Sequence, residues 1–416
     1  MLVPQRLRDK LGGRFRGGGV LVTGRLGIAL AKFGRNIILA RLIGAEQFGI
    51  ASTFIIALSF VELLSDLGLE KLVVQDRRGE DPRFIGAIQG LALLRAALIS
   101  VLLLVLAGPA AALFNQPDLV WAYQLFAILP LLRGVLHLDV YRQERSLRYQ
   151  ANILPESIGV IVSLLALWPL SLWLGDFRIV LVIFAIEIAI YAIGTHLTAE
   201  RRFNIGWDTS ILKHSLRFGL PLIASGFLTF LALQGDRVIV ANQFNAVELG
   251  LFSAALVLGM TPFLVLIRIS NSLLLPLFSE LRDDPAAMAG RIWKAIACLA
   301  AMALAASIGA WLLGSPIYQL VYGKDFATGA ALLLPVVLIF ACRFARSAMT
   351  TASLALGRTQ DIMWANMTRV IALPVAFYWI TQKGGSIEDL LMIALVGEVA
   401  AYILAMALLT MRLRQR

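Results

Sequence analysis

Residues 20–44 read VLVTGRLGIALAKFGRNIILARLIG. The run is long enough to cross a bilayer as a helix, at about 1.5 Å per residue. Yet Arg25, Lys32 and Arg35 lie in its interior. At about 100° per residue these cations and Asn36 fall within an arc of roughly 100°, while the opposite side is Leu, Ile and Ala. A basic residue at mid-membrane costs roughly 2.5–3.5 kcal/mol even on the most lenient scale. The stripe must therefore face other helices or a water-filled cavity.

The rest of the chain belongs in the same environment. It is 59% hydrophobic and 15% charged, with a mean hydropathy of +0.81, where soluble domains are about one-quarter charged. Apolar runs of about 18–25 residues recur from end to end, which predicts an all-α polytopic membrane protein. Twelve spans are expected: 20–43, 48–68, 85–107, 118–138, 152–174 and 177–198, then 216–241, 247–271, 291–313, 328–350, 361–380 and 388–410. Cys298 and Cys342 fall inside spans and read as small buried hydrophobes, and His137, His196 and His214 have no zinc-type spacing. No metal, cofactor or catalytic residue is expected. The opening residues 1–19 lack an apolar core and read as a basic cytoplasmic arm suited to an anionic membrane surface.

Lys and Arg set the orientation. With the N-terminus inside, 23 basic residues lie in the inner segments. Only Arg178, Lys324 and Lys383 fall outside, so both termini are expected in the cytoplasm. This bias explains much of the net charge of +11 without invoking nucleic acid. Eleven basic residues remain at membrane depth: Arg25, Lys32, Arg35, Arg41, Arg95, Arg133, Arg237, Arg268, Arg343, Arg346 and Arg369. All of them facing lipid would cost on the order of 30 kcal/mol, so most must be buried, paired or hydrated. Arg41, Arg133 and Arg369 can instead snorkel to an interface.

The two halves of the chain echo each other. ILARLIGAEQFGIAS (38–52) aligns with IVANQFNAVELGLFS (239–253), matching Ala45 to Ala246, Gly49 to Gly250 and Ser52 to Ser253. The shared element is a helix, a tight turn and a second helix opening on glycine. This predicts two six-helix lobes, 20–212 and 213–416, in a parallel internal repeat, an architecture of two-lobed transporters with a site between lobes.

The stretch from Ala40 to Gln75 resembles the first two spans of the oligosaccharide/polysaccharide flippases. The motif residues are Ala40-Arg41-Leu42-Ile43-Gly44, Phe48-Gly49, Asp66-Leu67-Gly68-Leu69 and Val73-Val74-Gln75. The second half departs from the pattern, with RISNSLLLPLFSEL ending the eighth span. The resemblance implies a polysaccharide transporter of the superfamily that also holds multidrug extruders and lipid II flippases. It implies movement of an undecaprenyl-pyrophosphate-linked oligosaccharide from the inner to the outer leaflet of the bacterial cytoplasmic membrane, through a cleft lined by spans one, two, seven and eight. Membrane lipid and the lipid-linked oligosaccharide are then the partners, with a polysaccharide polymerase or glycosyltransferases as candidate protein partners.

A pyrophosphate needs fixed cations, and arginine's planar fork suits its oxygens. Arg25, Lys32, Arg35, Arg237 and Arg268 are the substrate-binding candidates. Glu62, Asp66 and Asp236 are candidates for ion coupling or salt bridges. Each cation has a competing structural reading, in which it is paired with a buried acid among Glu62, Asp66, Glu187, Asp236 and Glu398. Two other functions are weighed. A cation-coupled multidrug extruder would favour acids and aromatics over this cationic excess. A membrane glycosyltransferase or ligase would need a sizeable catalytic outer loop, and the longest outer loops are short. No nucleotide-binding or hydrolytic motif is present, so the chain is not expected to be an enzyme.

Overall fold

The computed structural model describes residues 5–64, 66–281 and 284–414, so the expected basic arm lies partly outside the described residues, as do Arg282 and Arg416. Among those described there are helices and no strands. In chain order they are α1 (Gln5–Leu64), α2 (Leu69–Gln75), α3 (Pro82–Leu113), α4 (Val120–Phe126), α5 (Ile128–Gly134), α6 (Asp139–Arg145) and α7 (Gln150–Trp173). There follow α8 (Arg178–Thr198), α9 (Thr209–Gln243), α10 (Ala246–Glu280), α11 (Pro285–Tyr322), α12 (Ala330–Ala355), α13 (Thr359–Lys383) and α14 (Ile387–Arg414).

Nine of the described helices are long and apolar enough to cross a membrane, or ten if the bent pair Pro117–Gly134 and Asp139–Arg145 is one span. The difference from twelve has physical sources. α1 runs through two expected spans, although its helical geometry breaks at Gly44, where φ is 79° and ψ 171°. That backbone region is essentially reserved for glycine. The eleventh expected span coincides with α13, whose Asp361, Asn366 and Arg369 lower its apolarity.

The chain forms two compact units. One comprises residues up to Ile43 together with Ala51–Phe230; the other comprises Gly44–Ile50 together with residues from Leu231 on. In the first, Phe54 is fully buried against Tyr123, Phe126 and Phe177, with ring centroids 4.5, 5.1 and 5.4 Å away. The Tyr123 hydroxyl donates to Thr53 at 2.6 Å, which satisfies its one polar atom inside that cluster. Leu69, Leu72, Val73, Phe84 and Ile88 form a second apolar core beneath α2 and α3.

In the second unit, Asn245 caps α10 reciprocally with Glu248 in a capping box. Tyr318 and Tyr322 of α11 are buried and donate to the carbonyls of Leu251 and Ala254, each at 3.0 Å. The repeated motif meets its own counterpart here. A Cβ on Gly49 would overlap the Ala246 carbonyl oxygen, and one on Gly250 would overlap that of Ala45. Glycine at both positions permits this reciprocal backbone approach, which small residues allow between membrane helices.

Large apolar side chains cover the outside of both units. Leu172 and Trp173 on α7 and Leu320 on α11 are more than three-quarters exposed, as lipid-facing residues are. Cys298 is also exposed rather than buried, because α11 turns most of its surface outward; both cysteines are free thiols.

Candidate functional site

The cationic stripe of α1 is laid against α7 and α8. Arg25 donates to Glu156 at 2.5 Å and stands 3.9 Å from Glu144. Lys32 lies 3.1 Å from Glu156 and 3.0 Å from Glu187. Arg35 donates to Glu187 and, at 2.8 Å, to the Ser163 hydroxyl, and its guanidinium stacks over Phe184 at 5.1 Å. The result is an alternating ladder, Arg25–Glu156–Lys32–Glu187–Arg35. Three cations share two carboxylates along its length, with Glu144 at one end.

Spacing builds this ladder. Positions 25 and 32 are two helical turns apart and 35 is nearly one turn further, so the basic groups follow one face of α1. Glu156 and Ser163 are likewise two turns apart on α7. α7 and α8 approach closely because Gly159 is there: a Cβ would come within 2.6 Å of the Glu187 carbonyl oxygen. Burial is graded along the ladder. The Arg25 and Lys32 side chains are 42% and 36% exposed, while that of Arg35 is 3% exposed. One end is therefore open to exchange of partners, and the other is locked.

The second unit has its own cationic centre. Glu398, 1% exposed on α14, receives Arg343 at 2.5 Å, stands 3.6 Å from Arg346, and is bonded by Arg369. Arg343 also stacks over Phe340 at 4.5 Å, and Arg346 donates to Asn366 at 3.2 Å. Asp236 of α9 lies within electrostatic reach of Arg343, Arg369 and Arg237. Arg237 donates to Gln234 at 3.1 Å, one turn away on the same helix. Arg268 is exposed on α10.

Glu62 and Asp66 meet cations of α3 and α5. Arg133 is 3.0 Å from Glu62; Arg95 is 3.8 Å from Asp66 and 3.5 Å from Glu70. These groups line a cavity of about 440 Å3 in the first unit.

The structure thus gathers Arg25, Lys32 and Arg35 into one cluster. It places Arg237 beside Asp236 in the other unit, and Arg268 on an exposed helix face. Two groupings go beyond the sequence reading. Glu156 was not among the expected acid partners, although a carboxylate inside the apolar run 152–174 is as anomalous as the arginines it meets. The convergence of Arg343, Arg346 and Arg369 on one glutamate combines residues from three helices. Arg133 and Arg369 have acid partners, Glu62 and Glu398, and the Arg133 side chain is about half exposed.

Comparison with known proteins places this geometry in context. The family described as polysaccharide biosynthesis protein matches residues 38–331. The succinoglycan biosynthesis transport protein ExoT of Rhizobium meliloti (strain 1021) is 21% identical over 383 residues, covering 91% of this chain and 76% of that protein. Among solved structures, the lipid II flippase MurJ in an inward closed conformation aligns with a TM-score of 0.73 at 14% identity, covering 93% of this chain and 86% of that one. An inward-facing multidrug resistance transporter of the MATE family aligns at 0.68 and 14% identity, covering 95% and 98%. The two structural likenesses establish a shared all-helical transporter fold.

Proposed function

The chain belongs to the polysaccharide biosynthesis protein family, and from that membership we propose that it is a flippase for a lipid-linked oligosaccharide. The substrate in this reading is an undecaprenyl-pyrophosphate-linked sugar, carried from the inner to the outer leaflet of a bacterial cytoplasmic membrane with both termini cytoplasmic. The observation that carries it is the charge balance of the two clusters: Arg25, Lys32 and Arg35 share Glu156 and Glu187, with Glu144 reaching only Arg25 at 3.9 Å, while Arg237, Arg343, Arg346 and Arg369 outnumber Glu398 and Asp236 by four to two.

That excess suits an anion and disfavours the cationic substrates of a multidrug extruder. In this reading Glu156 and Glu187 hold the basic side chains in place when no substrate is bound. Phosphate oxygens then take over part of their role, beginning at the more exposed Arg25 and Lys32. Exchange of one anion for another keeps the buried cations compensated throughout, avoiding the cost of an unpaired charge. Arg237 and Arg268 are further candidate contacts, and Asp236, Glu62 and Asp66 candidate ion-pair or coupling groups. Two lobes, 20–212 and 213–416, rocking about the site would supply alternating access.

The test is complementation of a deletion strain, scoring surface polysaccharide and lipid-linked sugar left at the inner face. Loss of the protein should block export while inner-face intermediate accumulates. Failure to assemble the lipid-linked sugar in the first place would refute the flippase reading in favour of a transferase.

A further inference from the structure

Within the first unit, α3 and the connections after α5 and α8 border a cavity of about 540 Å3 whose lining includes Gln89, His137, Asp139, Arg201, Arg202 and Asn204. His137 is 4% exposed. Its Nδ1 accepts the backbone N–H of Asp139 at 3.2 Å, so in the neutral ring Nε2 carries the proton. Nε2 is buried without a hydrogen bond; the Arg201 carbonyl interacts with the ring but falls outside hydrogen-bond geometry. The rings of His196 and Phe203, at 5.2 and 5.4 Å, fix the imidazole edge-on. His196 is itself held by the Val135 carbonyl at 2.8 Å.

The acids nearby are already engaged. Asp139 accepts Arg142 at 2.6 Å, Gln143 at 3.3 Å and the backbone N–H of Glu200 at 2.8 Å. Glu80 accepts Arg142 at 3.4 Å and Arg201 at 3.2 Å, and Glu200 accepts Arg142 and Arg148. Of the charged groups that line the cavity itself, Arg201 and Arg202 outnumber Asp139 by one, leaving a positive balance there. The connection that closes it is anchored by the Gly206 N–H donating to the Gly86 carbonyl at 2.8 Å. On that connection Ile205 and Trp207 are 60% and 63% exposed, apolar side chains placed as those at a membrane interface are.

We propose that this cavity binds a phosphate group, presented by an anionic lipid headgroup or by free phosphate. Nε2–H of His137 supplies a fixed donor, and Arg201 and Arg202 supply charge. Ile205 and Trp207 set the mouth of the cavity at headgroup depth.

The test uses the full chain in nanodiscs of phosphatidylcholine, with or without phosphatidylglycerol, and in phosphatidylcholine discs with added inorganic phosphate. Hydrogen exchange of residues 199–208 and native mass spectrometry of retained lipid are the readouts. Phosphatidylglycerol, inorganic phosphate or both should slow exchange there. Protection by phosphatidylglycerol alone identifies the headgroup, and protection by inorganic phosphate in phosphatidylcholine discs identifies the free ion. His137→Phe, which keeps the ring packing, and Arg202→Ala should each weaken retention by about tenfold, as loss of one hydrogen bond to a charged group does. His137→Gln, whose amide reaches the Nε2 position, should retain most of it. Exchange that is the same in all discs, or retention unchanged in Arg202→Ala, overturns the proposal. Because Arg202 is exposed, that variant remains decisive even where His137→Phe fails to fold.

Discussion

Arg35 and Glu187 are paired at the buried end of the α1 ladder, and each has a second polar partner there, Ser163 for the arginine and Lys32 for the glutamate. The pair therefore sits in a bonded chain, and removing either member strands more than one group. Glu187→Ala should destabilise the protein by about 3–5 kcal/mol, the usual cost of leaving a buried charge unpaired. The double variant Arg35→Met with Glu187→Leu should recover much of that stability. Thermal unfolding of detergent-solubilised protein separates the two. If the double variant is abundant in the membrane yet exports no polysaccharide, the ladder serves substrate as well as folding.

Exposure along the ladder predicts different outcomes for its members. Arg25→Ala and Lys32→Ala should leave membrane abundance near that of the parent, since both side chains are more than a third exposed. On the proposed function they should still abolish or strongly reduce export. Abundance on immunoblots, set against surface polysaccharide, reads the two effects apart. An equal fall in both would assign these residues to folding.

Glu398 carries the heavier structural burden in its unit because three arginines depend on it. Glu398→Gln keeps the shape but removes the charge, and should cost about 3–5 kcal/mol. Asn366→Ala, which removes one hydrogen bond from Arg346, should cost only about 1.5–3 kcal/mol. Denaturation midpoints in mild detergent should rank the two in that order.

Gly49→Ala and Gly250→Ala should each be damaging, because the added methyl meets a backbone carbonyl that cannot rotate away. Overpacking of this kind costs about 1–3 kcal/mol or more. Gly290→Ala, where a Cβ would meet open space, is the control and should be neutral or slightly stabilising. Abundance and melting temperature of the three variants provide the comparison.

Acid should loosen the connection after α2. Hydrogen bonding from Arg78 holds the Asp76 carboxyl at about 2, and His214 reaches the same carboxylate at 2.8 Å. A depressed carboxylate value contributes stability above its unfolded value of 3.8, and that contribution is lost as pH falls from there toward about 2. Asp76→Asn should flatten the pH dependence of unfolding in that interval. An unchanged slope would show that other carboxylates set it.

Much of the architecture was legible because membrane helices announce themselves by length and apolarity. The basic stripe was legible too, since the positions of Arg25, Lys32 and Arg35 on a helix follow from their spacing alone. Their partners were not. Whether Glu156 and Glu187 turn toward α1 depends on how α7 and α8 rotate about their axes, and that is set by contacts such as Gly159 against the Glu187 backbone. The same reason hid the acid partners of Arg133 and Arg369: a basic residue near a span end says nothing of which helix stands beside it. Conversely, the Gly49 and Gly250 correspondence could be seen in the sequence as a repeat, but not that the two copies touch.

That contact is self-complementary. Each copy of the motif presents one alanine carbonyl and one glycine gap, and receives the same two features in return. Such an isologous patch is what two identical subunits form across a twofold axis. Here both faces belong to one unit of one chain, and the two glycines share a common fate, since neither could acquire a side chain without displacing the backbone opposite it.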